Sequence, residues 1–247
     1  MELLMNYANS KFFLKIISIV LSLCVISNFY ICVYAQDRDK DIYRKNENNY
    51  MKIALTFDDG PHPRYTPQIL DILDKYGIKA TFFTIGVNAV YYPDVIEDVI
   101  RRGHEIGNHT YSHPHVSCLN SETLKNEVEK CESVIFGLTD YRTKLFRPPE
   151  GMIDADVRQV LRGLDYKVIL WDIDTLDWAN TPSEKIAESV IENVSSGDII
   201  LMHDYVSYNS PTPKALELFI PELLKRGYRF VVVSELIGLK EKITEAN

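Results

Sequence analysis

Between residues 52 and 233, short apolar runs alternate with amphipathic stretches roughly seven times in succession, which restricts the chain to few architectures. Residues 52–57, 80–85, 104–107, 145–146, 166–171, 198–202 and 228–233 read as strands. Residues 66–76, 93–102, 121–136, 154–162, 182–193 and 213–226 carry helical spacing, and Gly77, Gly103 and Gly163 close three of them. Ser121-Glu-Thr-Leu reads as a capping-box start. Strand–helix alternation of this kind implies a parallel sheet with right-handed crossovers. So many units in so short a chain suggest a closed or nearly closed barrel, with an open doubly wound sheet as the competitor. Either way, the loops after the strand C-termini are where a site should be built.

The segment before this pattern is different. Lys11 and Lys15 precede residues 16–36, which hold no charged side chain. A basic start followed by an apolar run is the pattern of an export leader, with Val33-Tyr34-Ala35 as a possible cleavage site. The run is also long enough to span a bilayer uncut. Residues 1–35 are therefore expected to be a signal peptide or membrane anchor. Residues 36–50 then form a polar tether with almost nothing to bury, and 51–247 a single catalytic domain. This places the domain outside the cytoplasm, touching membrane only through its N-terminal segment.

Acids outnumber bases by 35 to 27, a net charge of -8, which argues against nucleic-acid binding. Cys118 and Cys131 match no zinc or redox spacing, and either a disulfide or two free thiols is compatible with the sequence. There is no Gly-x-Gly-x-x-Gly and no Walker loop, so a nucleotide cofactor has no support.

Reactive residues cluster just past the expected strand ends: Asp58-Asp59, His109 with His113, Arg147-Pro-Pro-Glu150, Asp174-Thr-Leu-Asp-Trp178 and Leu201-Met-His203. In a barrel these would meet at one mouth. His109 and His113 are four apart, and on a helical turn that spacing puts both imidazoles on one face to grip a metal ion. A carboxylate from the first strand would complete a two-histidine, one-carboxylate set. The neighbouring carboxylate would be left as a base. His62, His104 and His115 flank these motifs as loop residues or outer-shell supports. Tyr205 and Tyr208 either stack on sugar rings or serve the loop alone.

Taken together, the five motifs resemble, in order, those of the polysaccharide deacetylases, carbohydrate esterase family four. The resemblance spans almost all of residues 51–237. It implies a distorted (β/α)7 barrel of parallel strands and metal-dependent removal of N-acetyl groups from cell-surface glycans. By this resemblance Asp58 is the general base, and Asp59, His109 and His113 hold the metal, Zn²⁺ or else Co²⁺ or a similar ion. Arg147 orients Asp58, Asp174 holds the acid His203, and Leu201 and Trp178 wall the acetyl pocket. Glu150 stands where the family usually has an aromatic or small residue. Its backbone N–H is expected to help hold the oxyanion, and its side chain departs from the family pattern at the subsite contacts. The expected substrate is peptidoglycan N-acetylglucosamine or a chitooligosaccharide. An O-acetyl xylan esterase and a catalytically silent wall-binding protein are the rival readings.

Overall fold

Strand β2, Lys52–Asp58, is buried along its whole length after the first residue. Its unbroken Ile-Ala-Leu-Thr-Phe run is the pattern of a strand covered on both faces. In the computed structural model, which describes residues 41–46, 50–206 and 208–239, β2 sits at the middle of a parallel sheet. The leader expected over 1–35 and residues 36–40 of the tether lie outside the described residues. Among the described residues, no helix is long and apolar enough to cross a membrane.

The other strands are β1 (Ile42–Tyr43), β3 (Thr81–Thr84), β4 (Glu105–Asn108), β5 (Leu145–Phe146), β6 (Lys167–Ile169), β7 (Ile173–Asp174), β8 (Ile199–His203) and β9 (Arg229–Phe230). Their order is β1-β6-β5-β4-β3-β2-β8-β7, with β9 pairing to the start of β2. Every ladder is parallel. The sheet curls as a distorted (β/α) barrel, with β1 and β7 as the two ends of the path.

Helices α1 (Tyr65–Lys75), α2 (Gly86–Tyr91), α3 (Pro93–Arg101), α4 (Ser121–Thr139), α5 (Ala155–Gly163), α6 (Ser183–Asn193), α7 (Thr212–Lys225) and α8 (Val233–Ile237) connect the strands. Leu70 and Leu73 of α1, Ile96 of α3, Val190 of α6 and Phe219 of α7 pack with Ile53, Leu55 and Phe57 of β2 and with Ile200 and Met202 of β8. Each such side chain, fully buried, contributes about 1.5–3 kcal/mol. Ala54 and Ile199 belong to a separate cluster, with Phe83, Leu145 and Ile169. Successive strand residues point to opposite faces. Placing Leu55 and Phe57 against the helices therefore turns Thr56 and Asp58 to the barrel interior, and Leu201 and His203 with them.

Several local expectations need correction. The supposed tether contributes β1, whose Ile42 and Tyr43 pair with Val168 and Ile169 and pack on apolar clusters. Two apolar residues in a charged stretch suffice when a sheet edge is waiting for them. The strand expected over 166–171 stops at Ile169, and β7 begins separately at Ile173. The last strand is only Arg229–Phe230, and Val233 starts α8 instead. Helix α4 is capped by Asn120, whose side chain accepts from the Thr123 N–H, so Ser121 is its first helical residue and no capping box forms there. Cys118 is exposed, Cys131 is buried, and both are free thiols.

Candidate active site

The site lies at the C-terminal ends of β2, β4, β5, β7 and β8, the end at which parallel α/β sheets present their loops. Asp58 ends β2 and His203 ends β8, and the two are register partners in adjacent strands. Neighbouring strands run about 4.8 Å apart, so this pairing alone brings a carboxylate and an imidazole together on one face.

Arg147 follows β5 and is fully buried. Its Nη1 donates to Asp58 Oδ1 at 2.7 Å and to Thr56 Oγ1 at 2.8 Å. Its Nε donates to the Ile169 carbonyl at 3.1 Å and Nη2 to the Leu170 carbonyl at 3.2 Å. The guanidinium lies 4.1 Å from the centroid of the Phe83 ring. Phe83 reaches this position because residue 107 is glycine: a Cβ there would stand 2.3 Å from Phe83 Cδ1. Burial pulls the Arg147 pKa down, and Asp58 opposes that pull. A buried charge with this many donors satisfied is tolerable, whereas an unpaired one is not. Asp58 is thus held through Oδ1.

Asp59, His109 and His113 converge, with one ligand atom from each lying within 4.8 Å of the others. Asp59 Oδ1 is 3.4 Å from His109 Nε2 and 3.3 Å from His113 Nε2. Two ligands bonded at about 2.1 Å and the tetrahedral angle stand about 3.4 Å apart, so these separations suit a zinc-like ion. Asp59 Oδ1 is also buried without a hydrogen-bond partner, which leaves it needing a cation. His109 Nδ1 donates to the Arg147 carbonyl at 2.7 Å, which fixes the tautomer and leaves the Nε2 lone pair for the site. Burial alone would raise the Asp59 carboxyl, but its close approach to the His109 ring, together with the charges of His203 and His113, holds it at about 2. Burial lowers His109, but Asp58 and Asp59 outweigh it and raise the group. His113 is lowered by burial and by His109.

The two histidines do not share a helical turn. Residues 109–113 form an irregular loop in which Thr110 (φ 69) and His113 (φ 56) are left-handed. Asp59 is left-handed too, at φ 75. Such conformations cost free energy in residues other than glycine and persist where the surroundings over-determine them. Here Asn108 Oδ1 accepts from the Thr110 N–H at 2.9 Å, and Glu127 of α4 accepts from the Ser112 N–H at 2.8 Å.

His203 is held by Asp177, not by the expected Asp174. Its Nδ1 donates to Asp177 Oδ1 at 2.8 Å, and its backbone N–H donates to Asp177 Oδ2 at 2.9 Å. Thr212 Oγ1 donates to the same Oδ2 at 2.7 Å. Burial would lower His203, but Asp177, with Asp58 and Asp59 behind it, raises its pKa to about 9. Asp174 Oδ1 instead accepts from the Leu176 N–H at 2.9 Å and from Trp178 Nε1 at 3.3 Å. It shapes the turn in which left-handed Leu176 (φ 55) delivers Asp177 inward. The sequence offered two aspartates in Asp174-Thr-Leu-Asp-Trp178 and no means of choosing between them.

Leu201 is buried two residues before His203 on the same strand, whereas Trp178 is 54% exposed. Glu150 is exposed and left-handed, and its Oε2 lies 3.1 Å from His115 Nδ1. His62 stacks on Tyr205 with ring centroids 4.3 Å apart. His104 is buried at the other end of the sheet, where its Nδ1 accepts from the Ala80 N–H at 3.2 Å.

The arrangement offers a positioned carboxylate, a three-ligand cation cradle and a cationic imidazole around one space. Comparison with known proteins gives it a context. The profile of the family described as polysaccharide deacetylase matches residues 45–169. A peptidoglycan-N-acetylglucosamine deacetylase of Bacillus cereus is 44% identical over 195 residues, covering 78% of this chain and 91% of that protein. The crystal structure of the Bc1960 peptidoglycan N-acetylglucosamine deacetylase is similar with a TM-score of 0.76 at 34% identity, covering 79% of this chain and 91% of that one. A family 4 acetyl xylan esterase from Clostridium thermocellum, solved in complex with a cobalt ion, gives a TM-score of 0.70 at 34% identity, covering 76% and 91% of the two chains.

Proposed function

This chain belongs to the polysaccharide deacetylase family, and we propose that it removes the acetyl group from N-acetylglucosamine units of peptidoglycan outside the cytoplasm, releasing acetate. The observation that carries this reading is the meeting of Asp58, the Asp59–His109–His113 cradle and His203 at one end of the sheet. The similarity to peptidoglycan-N-acetylglucosamine deacetylases supports the choice of sugar and of location.

Asp59, His109 and His113 would hold a divalent cation, with Zn²⁺ the ion their donor set suits best. Such an ion, when bound, supplies Lewis-acid polarisation of the acetamide carbonyl and acidifies water. Asp58 takes the proton from the attacking water: Arg147 holds its Oδ1 in place and leaves Oδ2 to accept. The backbone N–H of Glu150 donates to the carbonyl oxygen as charge develops there, the kind of contact that usually gives the largest stabilising effect. His203 then donates a proton to the sugar nitrogen as the C–N bond breaks, because an unprotonated amide nitrogen is a very poor leaving group. Asp177 on Nδ1 aims Nε2 of that ring and keeps the imidazole cationic at neutral pH. Leu201 and Trp178 flank the acetyl methyl. The products are acetate and a glucosamine unit whose amine is cationic near neutral pH.

The test is acetate release by purified protein supplied with Zn²⁺, on peptidoglycan, chitooligosaccharides and O-acetylated xylan, with and without chelator. Chelator-sensitive release from the two N-acetylated glycans is the expected result. Release from acetylated xylan alone would make the chain an O-acetyl esterase, and no release from any substrate would leave it a silent binder.

A further inference from the structure

A groove of about 470 Å³ opens beside the candidate site, separate from the cation cradle. Its walls come from three segments at the C-terminal end of the sheet. They are the start of α1, with Arg64 just before it and Gln68 within it, the stretch after the Asp177 turn, with Asn180, and the start of α7, with Asn209 before it and Lys214 in its first turn. One carboxylate ties this groove to the chemistry. Asp177 accepts from both His203 and Thr212, and Thr212 lies between Pro211 and Pro213 of the groove wall. The walls are also tied to one another. Ser183 Oγ donates to the Pro211 carbonyl at 2.9 Å, the Ser210 N–H donates to Tyr65 Oη at 3.2 Å, and Tyr65 Oη donates to the Tyr208 carbonyl.

The lining is polar and holds two cations of unequal standing. Lys214 is paired with Glu184. Arg64 is exposed and has no carboxylate partner among the described residues. Its guanidinium carbon lies 5.0 Å from the Tyr65 ring centroid and 5.3 Å from that of Tyr208. Aromatic rings occupy the faces of a guanidinium and leave its N–H edge free. A held edge of this kind matches a carboxylate in a bidentate pair.

Resting on the peptidoglycan reading above, we propose that this groove receives the sugar next to the N-acetylglucosamine being deacetylated, and that Arg64 pairs with a carboxylate carried by that sugar. In peptidoglycan the neighbouring sugar bears a lactyl ether whose carboxyl is either free or amide-linked to a peptide with carboxylates of its own. In chitin the neighbour is neutral. Arg64 is thus a specificity residue that favours the anionic strand.

The experiment compares wild type with Arg64→Gln and Arg64→Lys on three substrates. These are chitotetraose, peptide-free glycan strands with free lactyl carboxylates, and strands that retain their peptides. In Arg64→Gln, the ratio of kcat/KM on a carboxylate-bearing strand to that on chitotetraose falls about five- to tenfold, mainly through KM. Arg64→Lys recovers part of the loss, because it keeps the charge without the fork. A loss on peptide-free strands assigns the contact to the lactyl group, and a loss only on peptide-bearing strands assigns it to the peptide. An unchanged ratio in Arg64→Gln overturns the inference while leaving the deacetylase reading intact. Absence of acetate from every substrate with wild type overturns that reading instead.

Discussion

Replacing Asp177 by asparagine removes the charge that makes His203 an acid and keeps most of the side chain's shape. The His203 pKa stands at about 9 against an ordinary 6.5. That difference corresponds to about 3 kcal/mol favouring the imidazolium. Burial acts in the opposite direction, so the attraction from Asp177, Asp58 and Asp59 together exceeds the net figure. Without the Asp177 charge, the pKa should fall by about two units. The alkaline limb of kcat/KM reports the acid in the free enzyme, so it should move down by the same amount. Stability carries the same signature. A group whose folded pKa is raised stabilises fully below its unfolded value and loses that contribution as pH rises through its folded value. Wild type should therefore lose stability between pH 6.5 and about 9, and Asp177→Asn should lose much less across that window. The assay is acetate release across pH at fixed Zn²⁺, with urea melts at both ends of the window. Asp174→Asn is the comparison, and its alkaline limb should stay where it is, because Asp174 contacts Leu176 and Trp178. An alkaline limb unmoved by Asp177→Asn, or moved equally by Asp174→Asn, would refute the reasoning.

Other perturbations separate the remaining roles. Asp58→Asn should lower kcat about 10²–10⁴-fold yet still bind Zn²⁺ in a calorimetric titration, since Asn can accept from Arg147 and the cradle is untouched. His109→Ala should lose both turnover and Zn²⁺ binding, and retained binding would remove it from the cradle. Asp58→Ala should be less stable than wild type by about 3–5 kcal/mol in urea melts, because it leaves the buried guanidinium without its carboxylate. Gly107→Ala should cost about 1–3 kcal/mol and reduce kcat, because the new methyl displaces the Phe83 ring on which Arg147 rests. Zn²⁺ at 100 times its Kd should stabilise the chelator-treated protein by about 2.7 kcal/mol, and an unchanged melting temperature would count against the cradle.

The sequence by itself determined whatever depends on local pattern. The order of strand and helix came from hydrophobic periodicity. The placement of Asp58, His109, Arg147 and His203 at strand ends followed from where each apolar run stops. The tertiary structure decided what depends on partners remote in the chain. Which of two nearby aspartates holds His203 was set by a left-handed turn at Leu176 and by Thr212, 35 residues beyond Asp177. The two imidazoles meet through an irregular loop clamped by Asn108 and Glu127, although their spacing suggested a helix. Residues 42–43 became a strand only because β6 offered an open edge. Periodicity reports which face of a segment is apolar. It does not report which buried donors need an acceptor, and that accounting closes only when the whole chain is folded.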